Sequence, residues 1–194
     1  MSRALSFLHA VCVSCYSISI LFIVPRDLLW QVETSAELRQ RAPFFDTMFA
    51  MSVMYLGFDA VMMLLSPSEG DGTWLIHHII GGIGIQLIWK TELVWPIGLY
   101  FLLTELSTPF LNICWYLIKI NRRSTLRFLL SSMMLLITFF GVRWAGGVLL
   151  WYYIYINSVA ILSYEWYIVA YIFGGCGVIT LLNLLWGVKL LAKF

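Results

Sequence analysis

The stretch Ala4–Val24, ALSFLHAVCVSCYSISILFIV, decides the fold of this chain. Its 21 residues include no Asp, Glu, Lys or Arg. An α-helix needs about 20 predominantly apolar residues to cross the hydrocarbon core of a bilayer. The apolar part of a signal peptide is shorter, at roughly 7–15 residues. We therefore interpret this stretch as a first transmembrane helix.

The composition extends this interpretation to the whole chain. Of the 194 residues, 61% are hydrophobic and 11% are charged, with a mean hydropathy of +0.89. Soluble domains carry roughly 45–50% apolar and about 25% charged residues. A soluble fold of this length has no core large enough for such an excess, whereas a bilayer accommodates it. We predict an all-α polytopic membrane protein with a single domain, residues 1–194.

Further apolar segments of span length follow along the chain, separated by loops rich in Pro, Gly, Ser and charged residues. The six predicted spans are Ala4–Val24, Phe44–Leu65, Trp74–Trp89, Leu93–Leu117, Leu126–Tyr155 and Glu165–Leu190. The fifth segment could also form two short helices, broken between Arg143 and Gly147. Thirty helical residues measure about 45 Å, which suits one tilted span better than two spans. We predict six helices, with seven as the alternative.

The basic residues predict the orientation. The termini and the second and fourth loops hold seven Lys and Arg residues, against four in the first, third and fifth loops. Basic loops stay on the cytosolic side of a membrane. We expect both termini there, or in the matrix if the membrane is mitochondrial. A net charge of +2, without a basic stripe interleaved with aromatic residues, argues against a nucleic-acid partner.

Four consecutive predicted spans carry ionisable residues. They are Asp59 in the second span, His77 and His78 in the third, Glu105 in the fourth and Arg143 in the fifth. Such residues cost about 2.5–3.5 kcal/mol each on insertion scales and are candidates for a functional site. An unpaired charge facing lipid is far more costly than a paired charge in a bundle interior. We infer a polar centre between helices two and five.

Neighbouring residues extend this centre. Tyr55 shares a helix face with Asp59, and Asn112 shares one with Glu105. Pro109 cannot bond to the carbonyl oxygen of Glu105, which predicts a kink with that oxygen freed and nearby hydroxyls bonded to the backbone.

Structural alternatives stand beside these interpretations. The histidines could form only inter-helix hydrogen bonds, and Arg143 could simply neutralise Glu105 or Asp59. Glycines at positions 81, 82 and 84 favour close helix packing over a slot for a lipid chain.

The cysteines and the remaining histidine suggest no further site. The four cysteines lie in apolar stretches and are expected to be small buried residues. His9, Cys12 and Cys15 follow one another at three-residue steps, but no fourth ligand is near. We expect no metal site.

The pattern of these residues resembles the TLC (TRAM–Lag–CLN) domain, most closely in the small TLC-domain-containing proteins. The matching segments, in order, are SVMYLGFD at 52–59, WLIHH at 74–78, ELSTPFLN at 105–112 and FFGVR at 139–143. The resemblance implies a six-helix membrane barrel around a lipid cavity. Its ceramide synthases transfer an acyl group from acyl-CoA to a sphingoid base. IIGGIG follows the histidines here, where those enzymes carry further Asp residues.

Carried over by position, the resemblance makes His77 and His78 the catalytic imidazoles, with Asp59 and Glu105 as their acidic partners. Arg143, Asn112 and Tyr55 are expected to bind the substrate. The expected function is lipid handling by acyl transfer to a lipid in an intramembrane cavity, with acyl-CoA as co-substrate and no cofactor.

Two functions are alternatives to acyl transfer. One is non-catalytic lipid binding, and the other is a structural role as an accessory subunit of a larger membrane complex, for example a mitochondrial one. The expected partners are membrane lipids and, in the second case, other membrane subunits. The resemblance implies the endoplasmic reticulum or another endomembrane, with the mitochondrial inner membrane as the alternative.

Overall fold

A computed structural model describes residues 3–25, 28–30, 42, 44–66, 72–91 and 94–192, and these residues form helices joined by turns. The long helices are α1 (Arg3–Ile23), α2 (Phe45–Leu65), α3 (Gly72–Thr91), α4 (Trp95–Lys119), α5 (Leu126–Ile156) and α6 (Trp166–Leu191). Shorter helical segments lie at Leu28–Trp30 and Ser158–Leu162. The predicted all-α polytopic membrane fold is confirmed.

Five of the long helices, all except α3, are both long and apolar enough to cross a membrane. With 20 residues, α3 is about 30 Å long, so it reaches across the hydrocarbon core. It extends past both predicted ends at Trp74 and Trp89. It packs along α2 and also touches α4 and α6. This helix therefore lies at the edge of the bundle, with His77 and His78 buried on its inner side and Ile79 exposed on its outer side.

The fifth span is one helix rather than two. The predicted single helix runs from Leu126 to Ile156, and a π-helical turn at Phe139–Ala145 lies where the alternative placed a break. Within this turn the N–H of Gly146 donates to the carbonyl oxygen of Gly141, five residues earlier. The wider turn keeps the backbone hydrogen-bonded inside the bilayer, where a break would leave polar groups unpaired. A second π-helical turn, Tyr171–Gly175, lies in α6.

The kink in α4 differs from the prediction in one respect. A 3-10 turn occupies Glu105–Ser107, just before Pro109. The N–H of Thr108 donates to the carbonyl oxygen of Glu105. The prediction that this oxygen is free was therefore wrong. The tighter turn supplies a donor three residues ahead in place of the one that proline lacks. The Ser107 hydroxyl donates to the backbone carbonyl oxygen of Thr104 at 3.3 Å, which agrees with the prediction that nearby hydroxyls bond to the backbone.

The apolar core fills the half of the bundle that contains the start of α4 and the end of α5. Phe49, Trp95, Ile97 and Ile154 are among its most buried side chains. The polar side chains gather in the other half. Large apolar residues cover the outer surface, as expected where lipid is the solvent.

The glycines of α3 serve helix packing. A Cβ atom at Gly84 would overlap the ring and hydroxyl of Tyr171 on α6. That hydroxyl donates to the carbonyl oxygen of Ile80 at 3.2 Å. At Gly81 and Gly82 an added Cβ would meet Leu56 of α2 at an ordinary 3.6 Å. The close approach at Gly84 agrees with packing rather than with a lipid slot.

The cysteines follow the prediction only in part. Cys114 and Cys176 are buried, whereas Cys12 and Cys15 are exposed. The reason is the phase of α1, whose buried face consists of Ser6, His9, Ala10, Val13, Ser14, Ser17 and Ile20. The two exposed cysteines lie off that face, so the expectation that they are buried was wrong.

Candidate functional site

The centre of the site is a contact between α2 and α3. Ser52, Tyr55 and Asp59 lie on one face of α2, at helical spacing, and all three are buried. His78 of α3 faces them, with its Nδ1 atom 2.9 Å from Oδ2 of Asp59. The angles at the two atoms do not suit a hydrogen bond, so the two side chains are in close contact without one. The predicted meeting of an imidazole and a carboxylate therefore occurs within the bundle.

His77 points in a different direction from its neighbour, because consecutive residues of a helix are about 100° apart. Its ring meets the Trp186 ring edge to face, with 5.2 Å between centroids. Its Nδ1 atom is buried and has no hydrogen-bond partner in the described part of the chain. The residue borders a cavity of about 20 Å³ together with Glu105 and His9. A space of this size holds about one water molecule.

His9 of α1 is a third imidazole in the centre, which the sequence analysis considered only as a metal ligand. Its Nε2 atom lies 3.2 Å from the Ser52 hydroxyl, and its ring stacks on Tyr55 at 4.1 Å. It belongs to the face of small residues around Ala10 and Val13 that α1 buries. That face was the sequence signal for its position. Within the described residues, no three His, Cys, Asp or Glu side chains are grouped to hold a metal ion.

Arg143 joins α5 to α4 and α6. Its Nη2 atom lies 3.9 Å from Oε1 of Glu105. The Nε–H donates to the Ser107 hydroxyl at 3.1 Å, and Nη1 donates to Oδ1 of Asn183 at 3.0 Å. The polar centre thus involves all six long helices rather than four. Asn183 was missed because, unlike Asn112, it shares no helix face with an acidic residue or a histidine in the sequence.

Asn112 lies apart from the histidines. Its Oδ1 accepts from Arg3 at 3.2 Å, and its Nδ2 donates to Ser6 at 3.2 Å, so it joins α4 to α1. Arg3 also lies over the Trp115 ring, 4.8 Å from its centroid. Of the three residues predicted to bind substrate, Arg143 and Tyr55 lie in the polar centre, and Asn112 is joined to it only through Ser6, whose side chain bonds to Tyr55.

A groove of about 180 Å³ opens beside the polar centre, and we call it the Arg143 groove. Its lining residues are Trp74, Ser107, Thr108, Leu111, Leu135, Phe139, Arg143, Trp186, Lys189 and Leu190. Lys189 and Leu190 lie in the last turn of α6, so the groove reaches the end of the bundle near the C-terminus.

Two tryptophans separate this groove from the histidines. The Trp74 and Trp186 rings stack at 4.5 Å, with 21° between their planes. The Trp186 ring contacts His77, and the Trp74 ring meets His78 edge to face at 6.5 Å. The Trp186 indole N–H donates to the Thr73 hydroxyl at 3.3 Å, which holds the ring in place. The stacked pair therefore forms a wall between a cationic groove and two imidazoles.

The arrangement suits two kinds of chemistry. Imidazoles exchange protons near neutral pH, and a carboxylate beside one of them fixes its orientation. A guanidinium group binds phosphate or carboxylate groups. The imidazoles lie on one side of the Trp74–Trp186 wall, and the guanidinium group of Arg143 lies on the other side.

Comparison with known proteins gives two matches. The sequence model of a family described as TLC domain matches residues 1–192. An uncharacterized TLC domain-containing protein of Schizosaccharomyces pombe is 30% identical over 147 residues, covering 74% of this chain and 49% of the relative. The chain thus spans about half the length of that relative. No solved structure matches the chain significantly.

Proposed function

The chain belongs to the TLC-domain family, and on that premise we propose that it transfers an acyl group to a membrane lipid inside the helical bundle. The observation that carries this proposal is the buried contact of 2.9 Å between His78 and Asp59, with His77 adjacent. If the His78–Asp59 contact served only to hold α2 and α3 together, a second imidazole at His77 would not be needed. General acid–base catalysis uses two such groups, one to accept a proton and one to donate, both near the reacting atoms.

The proposed reaction assigns a role to each imidazole. The hydroxyl or amine of the acceptor lipid attacks the carbonyl carbon of an acyl thioester such as acyl-CoA. His77 takes the proton of the attacking group while the new C–O or C–N bond forms. His78, protonated and oriented by Asp59, donates a hydrogen bond to the oxyanion that develops on the carbonyl oxygen. The C–S bond then breaks, and the sulfur leaves as a thiol with the proton from His77.

The Arg143 groove is the proposed binding site for the anionic part of a substrate. Charge-assisted hydrogen bonds of nitrogen to a carboxylate measure about 2.7–2.9 Å. The 3.9 Å between Arg143 Nη2 and Glu105 exceeds this range, so the guanidinium keeps donor capacity for a phosphate or carboxylate. Lys189 adds positive charge to the groove lining. The groove reaches the end of the bundle that we propose faces the cytosol or matrix, where acyl-CoA is dissolved.

Non-catalytic lipid binding is the second candidate, and the aromatic wall favours it. The cavity at His77, about 20 Å³, is far smaller than ordinary ligand pockets of roughly 300–1,000 Å³. A lipid held in the Arg143 groove would stay on the far side of the Trp74–Trp186 pair. Acyl transfer therefore requires this pair to separate, whereas binding alone does not.

The test combines an acyl-transfer assay with lipid analysis of cells. The full chain in lipid nanodiscs is mixed with acyl-CoA and a pool of hydroxyl- and amine-bearing lipids, and acylated products are detected by mass spectrometry. We expect product from the parent, and none from the His77→Ala and His78→Ala variants. Ile79→Ala, a lipid-exposed neighbour on the same helix, serves as the control and should keep activity.

The assay also separates the candidates. No transfer by the parent and unchanged cellular lipids in both histidine variants would sink the acyl-transfer proposal. Anionic lipid that co-purifies with the parent and is lost in Arg143→Met would then support binding alone. Recovery of the chain only within a stable assembly of other membrane proteins would favour the accessory-subunit role.

We also propose residence in the endoplasmic reticulum or another endomembrane, with both termini cytosolic. The excess of basic residues in the terminal segments and the even-numbered loops supports this orientation. Tags at both termini, probed after selective permeabilisation of the plasma membrane, test it. Co-localisation with an inner-membrane marker would assign the chain to mitochondria instead.

A further inference from the structure

A second pocket lies in the opposite half of the bundle, away from the Arg143 groove. It measures about 240 Å³ and lies among α1, α4, α5 and the turn Leu28–Trp30. Its walls include Leu21, Trp30, Leu99, Tyr100, Leu149 and Tyr153, and no charged side chain lines it among the described residues. We call it the Tyr153 pocket. Its apolar lining suits the body of a neutral lipid and would leave a charged headgroup without a partner.

One polar atom of this pocket lacks a partner. Tyr153 is only 3% exposed, yet its hydroxyl makes no hydrogen bond within the described residues. The other tyrosine of the pocket differs, because the Tyr100 hydroxyl donates to the carbonyl oxygen of Arg143 at 3.3 Å. A buried hydroxyl without a partner is costly, and native proteins usually satisfy such groups. Tyr153 lines the pocket, and its hydroxyl is closed to solvent in this structure, so a ligand oxygen becomes its partner only when the ring turns toward the pocket.

The depth of this hydroxyl fits the same ligand. Tyr153 lies three residues before the end of α5 at Ile156, which is about 4.5 Å along a helix. The Trp30 ring packs against Tyr152 and Tyr153, and its backbone carbonyl accepts from Asn157 at 3.3 Å. Such clustered aromatic rings mark the boundary between hydrocarbon and water. A neutral lipid with one hydroxyl places that group at this boundary and its apolar body deeper.

We propose that the Tyr153 pocket binds a neutral lipid carrying a single hydroxyl or carbonyl oxygen, which hydrogen-bonds to Tyr153. This site is separate from the Arg143 groove, which holds positive charge, and it goes beyond the proposed acyl transfer. The two sites differ in the chemistry they accept. The groove suits an anionic group, and the pocket suits an uncharged one.

The test uses a matched pair of photoreactive probes on the full chain in phosphatidylcholine nanodiscs. One probe is a long-chain alcohol, and the other is the phosphate ester of the same alcohol. Labelled peptides are identified by mass spectrometry. We expect the alcohol to label residues 96–103 and 146–153, with competition by unlabelled alcohol, and the phosphate ester to leave these segments unlabelled.

Three variants locate the binding. Leu149→Trp fills the pocket from a lipid-exposed position and should abolish the competed labelling. Tyr153→Phe keeps the ring and removes the hydroxyl, so the affinity should fall by roughly two- to ten-fold, the worth of one hydrogen bond. Leu185→Trp is the control, since Leu185 on α6 is 54% exposed against 56% for Leu149 and lies outside the pocket.

Some results would overturn the proposal. They are labelling spread along all lipid-exposed helices, equal labelling by the phosphate ester, or labelling that Leu149→Trp leaves intact. An unchanged affinity of Tyr153→Phe would reject the hydrogen bond to Tyr153. Thermal unfolding of each variant confirms that it is folded before its labelling is compared.

Discussion

Nδ1 of His78 and Oδ2 of Asp59 lie 2.9 Å apart, with 6% and 3% of their side chains exposed. One turn before Asp59, Tyr55 stacks on His9, so the contact is part of a cluster on α1, α2 and α3. Polar groups at this depth have no water to replace a lost partner. Each member of the cluster therefore depends on the others.

Replacing Asp59 by Asn removes the charge and keeps the volume. If His78 acts in protonated form, acyl transfer should fall by at least about 100-fold, as when a positioned acid–base group is lost. The measurement is the rate of product formation in nanodiscs at saturating acyl-CoA. Asp46→Asn is the control, because Asp46 accepts a hydrogen bond from Trp89 at 2.8 Å near the start of α2, far from the histidines. Full activity in Asp59→Asn would show that the Asp59 carboxylate has no role in the mechanism.

Arg143 should contribute strongly to stability. Arg143→Met leaves Glu105 without its cation and breaks the bonds to Ser107 and Asn183, so we expect a loss of about 3 kcal/mol. The double variant Arg143→Met with Glu105→Gln should lose less than the sum of the two single changes. Unfolding in mixed micelles measures both. Lys119→Met, at an exposed cation, should have little effect, and strictly additive losses would show that Arg143 and Glu105 do not interact.

Gly84 should tolerate no side chain. Because a Cβ atom there would overlap Tyr171, we expect Gly84→Ala to destabilise the protein by about 1–3 kcal/mol. Gly82→Ala is the matched control, two residues away on α3, where the added atom meets Leu56 at 3.6 Å. Thermal unfolding in detergent compares the two. Equal stability of both variants would contradict the packing of α3 against α6.

The Trp74–Trp186 wall should protect the histidines. His77 and His78 are 7% and 5% exposed, so a histidine-modifying reagent such as diethyl pyrocarbonate should react with them slowly. Trp186→Ala removes one ring of the wall, and modification of His77 should become several-fold faster. Mass spectrometry of the modified peptide gives the rate. Trp115→Ala, which removes an α4 tryptophan outside the stacked pair, should leave the rate unchanged; a similar increase there would mean general loosening rather than removal of the wall.

The sequence predicted the polar centre well because charged residues are conspicuous in an apolar chain. Exposure to lipid carries a large free-energy cost for Asp59, His78, Glu105 and Arg143. This cost allowed us to predict that they meet in the bundle interior. The partners were less certain, since Arg143 could have neutralised either carboxylate. The structure pairs it with Glu105, because Asp59 already meets His78.

The parts that were missed depend on contacts distant in sequence. His9 was compared only with Cys12 and Cys15 of its own helix, so its partners Ser52 and Tyr55 on α2 were not evident. The aromatic wall arises only when Trp74 and Trp186 meet across α3 and α6. Each tryptophan alone also fits the ordinary role of an interfacial anchor. No local pattern distinguishes these roles.

The π-helical turn at Phe139–Ala145 affects how related sequences must be aligned. A π-turn holds one residue more than an α-turn, so the positions before and after it are out of step by about 100°. A relative with an ordinary α-helix here would need a one-residue gap within this segment. A gap-free alignment would equate lipid-facing positions of one protein with interior positions of the other along the rest of α5. Position-by-position comparison of Arg143 across the family therefore depends on where that single gap is opened.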